Sequence, residues 1–115
     1  MENIDCVFCN IINRTIASNN IVNETDDMIV IKDIMPKAPT HLLILPKQHI
    51  DSVNEITEEQ GPLAAKILLM AKEMAAKYGI ADTGYKLVFN VGKHGGQTVK
   101  HLHMHLIGGK QLPEF

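Results

Sequence analysis

The sequence predicts one α+β domain built on a mostly antiparallel sheet with helices on one side. Three observations predict it. A length of 115 residues fits a single domain and leaves no room for two. Strand-sized apolar runs are separated by turn signals, while helical spacing appears in one short and one long segment. Few of the connections are long enough for the crossovers that parallel strands require.

The elements follow in order. Asp5 is placed to cap a short helix from about Cys6 to Arg14, with Val7, Ile11 and Ile12 on its apolar side. Asn19-Asn20 reads as a turn. Ile21 to Asn23 and Met28 to Lys32 read as strands joined around Asp26-Asp27. Pro36, Lys37 and Pro39 mark a loop, and Leu42 to Leu45 forms a continuous apolar strand ended by Pro46. Leu63, Ile67, Met70, Met74 and Tyr78 keep helical spacing. Thr57 resembles the start of a capping box and Pro62 suits a first turn, so a first turn from Thr57 and a main helix after Gly61 are expected, with Gly79 as the stop. Tyr85 to Val91 reads as a strand, Gly92 to Gly96 as a loop, and Val99 to Ile107 as the last long strand, ended by Gly108-Gly109.

Composition removes several function classes. The apolar fraction of 45% is that of a folded globule, not a disordered chain. No apolar run approaches the ~20 residues of a membrane-spanning helix. The start, Met1-Glu2-Asn3-Ile4-Asp5, lacks a basic-plus-apolar signal segment, which points to a soluble protein of the cytoplasm. Eleven basic residues against 13 acidic ones do not supply a nucleic-acid surface. A small anion is still admissible, because a pocket of N–H donors needs no net charge.

Three of the six histidines fall in His101-Leu102-His103-Met104-His105. In a strand the imidazoles would share one face, roughly 6.5–7 Å apart, with Leu102, Met104 and Leu106 toward the core. An exposed polar face and a three-histidine metal site are both open readings. Phosphorus or acyl chemistry, with imidazole as nucleophile, acid or donor, is the reading that the flanking residues favour. Gly95-Gly96 permits backbone N–H groups to approach an anion, Gln97 and Thr98 add neutral donors, and Asn90 ends the preceding strand within reach. Cys6-Val7-Phe8-Cys9 reads as a redox pair, as two packed thiols, or as half of a zinc site.

The histidine segment resembles the signature of the histidine triad family. Agreement with its Hint branch extends through Cys6-Val7-Phe8-Cys9, Lys32-Asp33-Ile34, Ala38-Pro39-Thr40-His41, Ile44-Leu45-Pro46-Lys47-Gln48-His49 and Gly95-Gly96-Gln97-Thr98, from about Cys6 to Gly109. The resemblance implies a five-stranded antiparallel sheet with two helices, continued to ten strands in a homodimer. It implies a hydrolase of purine nucleoside phosphoramidates, typically adenosine 5′-phosphoramidates, that releases the nucleoside monophosphate. His103 would be the nucleophile, forming a nucleotidyl-histidine, with a strand carbonyl, His101 and His41 supporting it and His105 bonding phosphate or leaving-group atoms. Asp33 would hold the ribose hydroxyls. Phe8, Ile11, Ile16, Ile31, Ile34 and Leu43 would wall the base, and Asn90, Gly96, Gln97, Thr98 and Val99 would complete the nucleotide site. The resemblance also implies a structural zinc on Cys6, Cys9, His49 and His101, and no organic cofactor.

Rival functions are a dinucleoside polyphosphate hydrolase, a nucleotide-binding interaction protein with incidental catalysis, and a His-rich metal module. His94, in the loop before Gly95, reads as a surface-loop residue ahead of a second reading in which it lines the pocket mouth. The end of the chain, Gln111-Leu112-Pro113-Glu114-Phe115, lacks the tryptophan common in animal relatives.

Overall fold

The computed structural model describes residues 6–115. Helix α1 spans Val7–Ile12, shorter at both ends than expected. The expected cap, Asp5, lies outside the described residues. Cys6 fills the cap position, its Sγ accepting the Cys9 N–H at 3.2 Å. Arg14, at φ +66°, carries the chain into the left-handed region and ends any continuation of the helix.

Strands β1 (Ile21–Glu24) and β2 (Met28–Lys32) form an antiparallel hairpin. The Thr25 hydroxyl steadies its turn by accepting from the N–H groups of Asp27 and Met28. Strand β3 (Thr40–Pro46) is buried along its whole length. It begins before Leu42 because Thr40 and His41 find ladder partners in Gly108 and Ile107. A 3₁₀ turn at Glu58–Gln60 precedes helix α2 (Gly61–Lys77), and the Gln60 side chain accepts the Thr57 N–H at 2.9 Å. Gly79, at φ +72°, ends α2, and the Ile80 N–H returns to the Ala75 carbonyl at 3.0 Å.

Strands β4 (Tyr85–Phe89) and β5 (Met104–Gly108) complete a five-stranded sheet of order β1-β2-β3-β5-β4, with every pair antiparallel. The last strand therefore begins at Met104, not Val99, and β4 stops at Phe89, not Val91. The reason is local: β4 pairs no further than Phe89–Met104, and β3 stops at Pro46, which has no N–H. Residues 99–103 instead run beside the chain that leaves β3. The Leu102 N–H donates to the Ile50 carbonyl at 2.6 Å.

The helices lie on opposite faces of the sheet, which corrects the expected one-sided arrangement. Val30, Leu42, Ile44, Met104 and Leu106 pack with Ile67, Met70, Ala71 and Met74 of α2. Their alternates, Ile29, Ile31, Leu43 and Leu45, pack with Cys6 and Phe8 at α1. Successive strand residues face opposite ways. The continuous apolar runs of β2 and β3 therefore have two faces to cover, and each helix covers one. Among the described residues no helix is long and apolar enough to cross a membrane.

Candidate active site

A cavity of about 400 Å³ opens on the α1 face of the sheet. His103, just before β5, and His105, within it, line it with ring centroids 5.2 Å apart. Phe8 of α1 packs edge-on against His103 at 5.1 Å and against His101 at 5.9 Å.

The hydrogen bonds fix which nitrogen of each ring carries the proton. His103 Nδ1 stands 2.7 Å from the His101 carbonyl, which only accepts, so Nδ1 is the donor and Nε2 keeps its lone pair. His41 Nδ1 accepts the Lys37 N–H at 3.0 Å, so its proton is on Nε2. That proton is directed at His105 Nδ1, 2.9 Å away, with Asp33 Oδ2 at 3.4 Å. His105 Nδ1 is thus an acceptor, and its Nε2–H is a donor. One ring offers a lone pair and its neighbour an N–H. Burial holds the His103 and His41 imidazoles below their usual range, and burial together with the nearby His103 and His41 pushes His105 down to about 4. All three are neutral at pH 7, so the lone pair of His103 is available.

Phe8, Ile11, Ile31 and Leu43 give the cavity an apolar floor, and the largely exposed Ile34 and Met35 stand at its mouth. Asp33 lines it as well, with Oδ1 accepting the Met35 N–H at 2.8 Å. Asn90, Gly96, Thr98 and Val99 supply the side formed by the glycine loop. Asn90 Nδ2 donates to the Gly95 carbonyl at 2.8 Å.

Two expected residues stand elsewhere. Ile16 is 42% exposed and outside the lining, because the chain turns back beyond Arg14 and the Ile16 N–H bonds the Asn10 carbonyl at 3.1 Å. Gln97 is also outside the lining. Its side-chain amide donates to the carbonyls of Asp51 and Val99, its Oε1 accepts from Gly92, and its own N–H bonds the Gly92 carbonyl. No donor of this amide is left for a ligand. His94 is exposed and does not reach the cavity. The sequence reading missed Val7, Ser18, Asn20, Lys32 and Met35 as lining residues. Asn20 sits in what reads as an ordinary turn, with Ser18 just before it, and only the return of that stretch toward β2 marks them: the Lys32 N–H bonds the Asn20 carbonyl at 2.8 Å.

The remaining histidine of the segment, His101, does not line the cavity. His101 is fully buried, and its ring joins Cys6, Cys9 and His49, whose ligand atoms all lie within 4.8 Å of one another. Its Nε2–H donates to the Pro46 carbonyl at 2.8 Å, and His49 Nε2–H donates to Asp51 Oδ1 at 2.8 Å. Both Nδ1 lone pairs therefore point inward, 3.2 Å apart. Cys6 Sγ is 3.4 Å and Cys9 Sγ 3.5 Å from His101 Nδ1, and Cys9 Sγ is 3.1 Å from His49 Nδ1. Burial and the adjacent Cys6 push the Cys9 thiol up to about 12. Facing lone pairs repel unless a thiol proton or a cation lies between them, so this Cys/His cluster is able to hold a metal ion. Asp51 and the Pro46 carbonyl orient its imidazoles from behind, as acceptors do around metal-bound histidine. Neither was foreseen, since neither belongs to a ligand motif.

Comparison with known proteins agrees with this geometry. The family model described as "Scavenger mRNA decapping enzyme C-term binding" matches residues 5–115. A purine nucleoside phosphoramidase of Escherichia coli K12 is 42% identical over 108 residues, covering 94% of this chain and 90% of that one. The crystal structure of a HIT family hydrolase from Legionella pneumophila superposes with a TM-score of 0.92 at 44% identity, over 95% of this chain and 96% of that one. A histidine triad protein from Clostridium difficile superposes at 0.94 with 39% identity, over 100% and 99% of the two chains. A five-stranded antiparallel sheet, paired imidazoles of opposite hydrogen-bonding sense and relatives matched over nearly their full length lead to one conclusion: the chain belongs to the histidine triad family.

Proposed function

We propose that this protein hydrolyses purine nucleoside phosphoramidates through a nucleotidyl-histidine. The observation that carries the reading is the locked tautomer of His103, whose Nδ1–H is held by the His101 carbonyl at 2.7 Å while its Nε2 lone pair faces the cavity. The phosphoramidase from Escherichia coli supports the substrate class. In the first step the Nε2 lone pair attacks the α-phosphorus, a P–N bond to His103 forms and the P–N bond to the amine breaks. The leaving nitrogen takes its proton from solvent at the open mouth. Water then attacks phosphorus, the imidazole leaves neutral, the water proton passes to solvent, and the nucleoside monophosphate departs. The His105 Nε2–H donates to a phosphoryl oxygen, and the backbone at Gly96 and Thr98 borders the same charge. Asp33 accepts from the ribose hydroxyls, and the base lies on Phe8, Ile11, Ile31 and Leu43.

The Cys/His cluster holds a structural zinc in this reading. Around a tetrahedral ion bonded at ~2.3 Å to sulfur and ~2.0 Å to nitrogen, two nitrogens stand roughly 3.3 Å apart, sulfur and nitrogen roughly 3.5 Å, and two sulfurs roughly 3.8 Å. The sulfur–nitrogen spacings of 3.4, 3.1 and 3.5 Å and the nitrogen–nitrogen spacing of 3.2 Å among Cys6, Cys9, His49 and His101 lie within about 0.4 Å of that frame. The ion would hold the cysteines as thiolates and tie α1 to the chain before His103. Two copies join as a homodimer along the open edge of β4, a reading supported by the exposed Leu68 and Leu69 on α2. Cys6 and Cys9 are not joined in a disulfide, the state that a reducing cytoplasm preserves.

The test is turnover of an adenosine 5′-phosphoramidate carrying a fluorogenic amine, with His103→Ala beside the wild type. Release of amine by the wild type alone is expected, with radiolabelled nucleotide trapped on wild-type protein after a rapid denaturing quench at alkaline pH, where a phosphorus–imidazole bond survives. Equal release by both proteins overturns the reading.

A further inference from the structure

The glycine loop and the Cys/His cluster meet at one side chain. Gln97 uses its whole amide on backbone groups: Oε1 accepts from the Gly92 N–H at 3.0 Å, and Nε2 donates to the Val99 carbonyl at 3.0 Å and to the Asp51 carbonyl at 2.7 Å. The first two bonds fasten the ends of the loop that presents Gly96 and Thr98 to the cavity. The third crosses to residues 46–51, the stretch that bears His49 and Asp51. That stretch is itself fastened beside the catalytic histidine, by Leu102 N–H to the Ile50 carbonyl at 2.6 Å and by His101 Nε2–H to the Pro46 carbonyl at 2.8 Å. The loop has little slack, since a Cβ on Gly95 would lie 2.3 Å from the Val91 carbonyl oxygen.

We propose that Gln97 is a positioning residue: it sets the phosphate side of the cavity against His103, and it couples that loop to the Cys/His cluster through Asp51. The inference rests on the phosphoramidase and metal readings above. Base and ribose are held by α1, β2 and Asp33, which Gln97 does not touch. Loss of the brace therefore falls on the phosphoryl step more than on binding. A reacting group displaced by about 1 Å costs up to about 100-fold in rate. If the metal tightens nucleotide binding through this brace, linkage requires that the nucleotide tighten metal binding by the same factor.

The experiment compares wild type, Gln97→Ala and Gln97→Glu. Glutamate keeps the acceptor for Gly92 and loses both donors, so it serves where the alanine variant fails to fold. Three quantities are read: kcat and KM on an adenosine 5′-phosphoramidate, and the rate at which Co²⁺-loaded protein yields its metal to a chromogenic chelator, with and without AMP. The expected result is a kcat lower by about 10- to 100-fold, KM within about threefold, and metal release faster by about threefold or more. AMP is expected to slow release from the wild type and not from the variants. A KM raised more than about tenfold with unchanged kcat and unchanged metal release would make Gln97 a direct phosphate ligand and overturn the proposal, as would wild-type values throughout. A wild type that takes up no Co²⁺ or Zn²⁺ refutes the metal reading, and the kcat-against-KM split then decides on Gln97. A wild type without turnover refutes the phosphoramidase reading, and the effect of AMP on metal release then decides.

Discussion

At the scale of single residues, the chemistry depends on hydrogen placement. His41, with Nδ1 filled by the Lys37 N–H, presents Nε2–H to His105 and leaves it only one role, donor through its own Nε2. Replacing His41 by alanine frees the His105 tautomer. The expected outcome is a fall in kcat of about tenfold to a hundredfold, with AMP affinity little changed, read from steady-state kinetics beside a binding titration. The same burial makes stability depend on pH. His105 is pushed from its ordinary 6.5 down to about 4. Between those values the unfolded chain binds a proton that the folded chain refuses. Its contribution is complete above about pH 6.5, is lost progressively as pH falls to about 4, and changes no further below that. Melting temperatures taken from pH 8 down to pH 5 should fall more steeply for the wild type than for His105→Asn.

At the scale of elements, strands β2 and β3 separate stability from chemistry. The face toward α2 is a packed apolar core. Leu106 is fully buried there, and Leu106→Ala should cost about 2–5 kcal/mol of unfolding free energy by urea titration. The face toward α1 is shared between apolar packing and the cavity. The loop between β4 and β5 works by tightness. At Gly95 the atoms that a side chain would strike belong to the Val91 backbone, so there is no flexible group to move aside. Gly95→Ala should therefore lower activity at least about tenfold while leaving urea stability within about 1–3 kcal/mol of wild type.

For the molecule as a whole, the Cys/His cluster joins segments distant in the chain: the cap of α1, the stretch after β3 and the approach to β5. A ligand that binds only the folded state stabilises it by mass action. Chelation should thus lower the melting temperature of the wild type and leave that of Cys6→Ser unchanged, with metal content measured on both. The proposed dimer has its own test. Leu69→Glu, at a site 63% exposed on α2, should shift sedimentation toward the monomer without loss of helix content by circular dichroism.

The sequence by itself determined which residues are candidates for the chemistry, because alternation and spacing are local. His-x-His-x-His names its own imidazoles, Leu102, Met104 and Leu106 declare the core face, and Thr57, Pro62 and Gly79 bracket the long helix. Those signals are read from neighbours a few residues apart. What only the tertiary structure decided is how those groups are divided and aimed. Periodicity placed three histidines together, yet the ladder ends at Met104, and His101 turns to Cys6, Cys9 and His49 while His103 and His105 stay at the cavity. Gln97 reads as a phosphate donor beside two glycines, until Asp51, 46 positions earlier, takes its amide. Continuous apolar strands do not say which face each helix covers, and a turn such as Ser18 to Asn20 does not say what it borders. Each of these outcomes is set by hydrogen-bond partners and packing across long separations in the chain, and a pattern of neighbours carries no information about them.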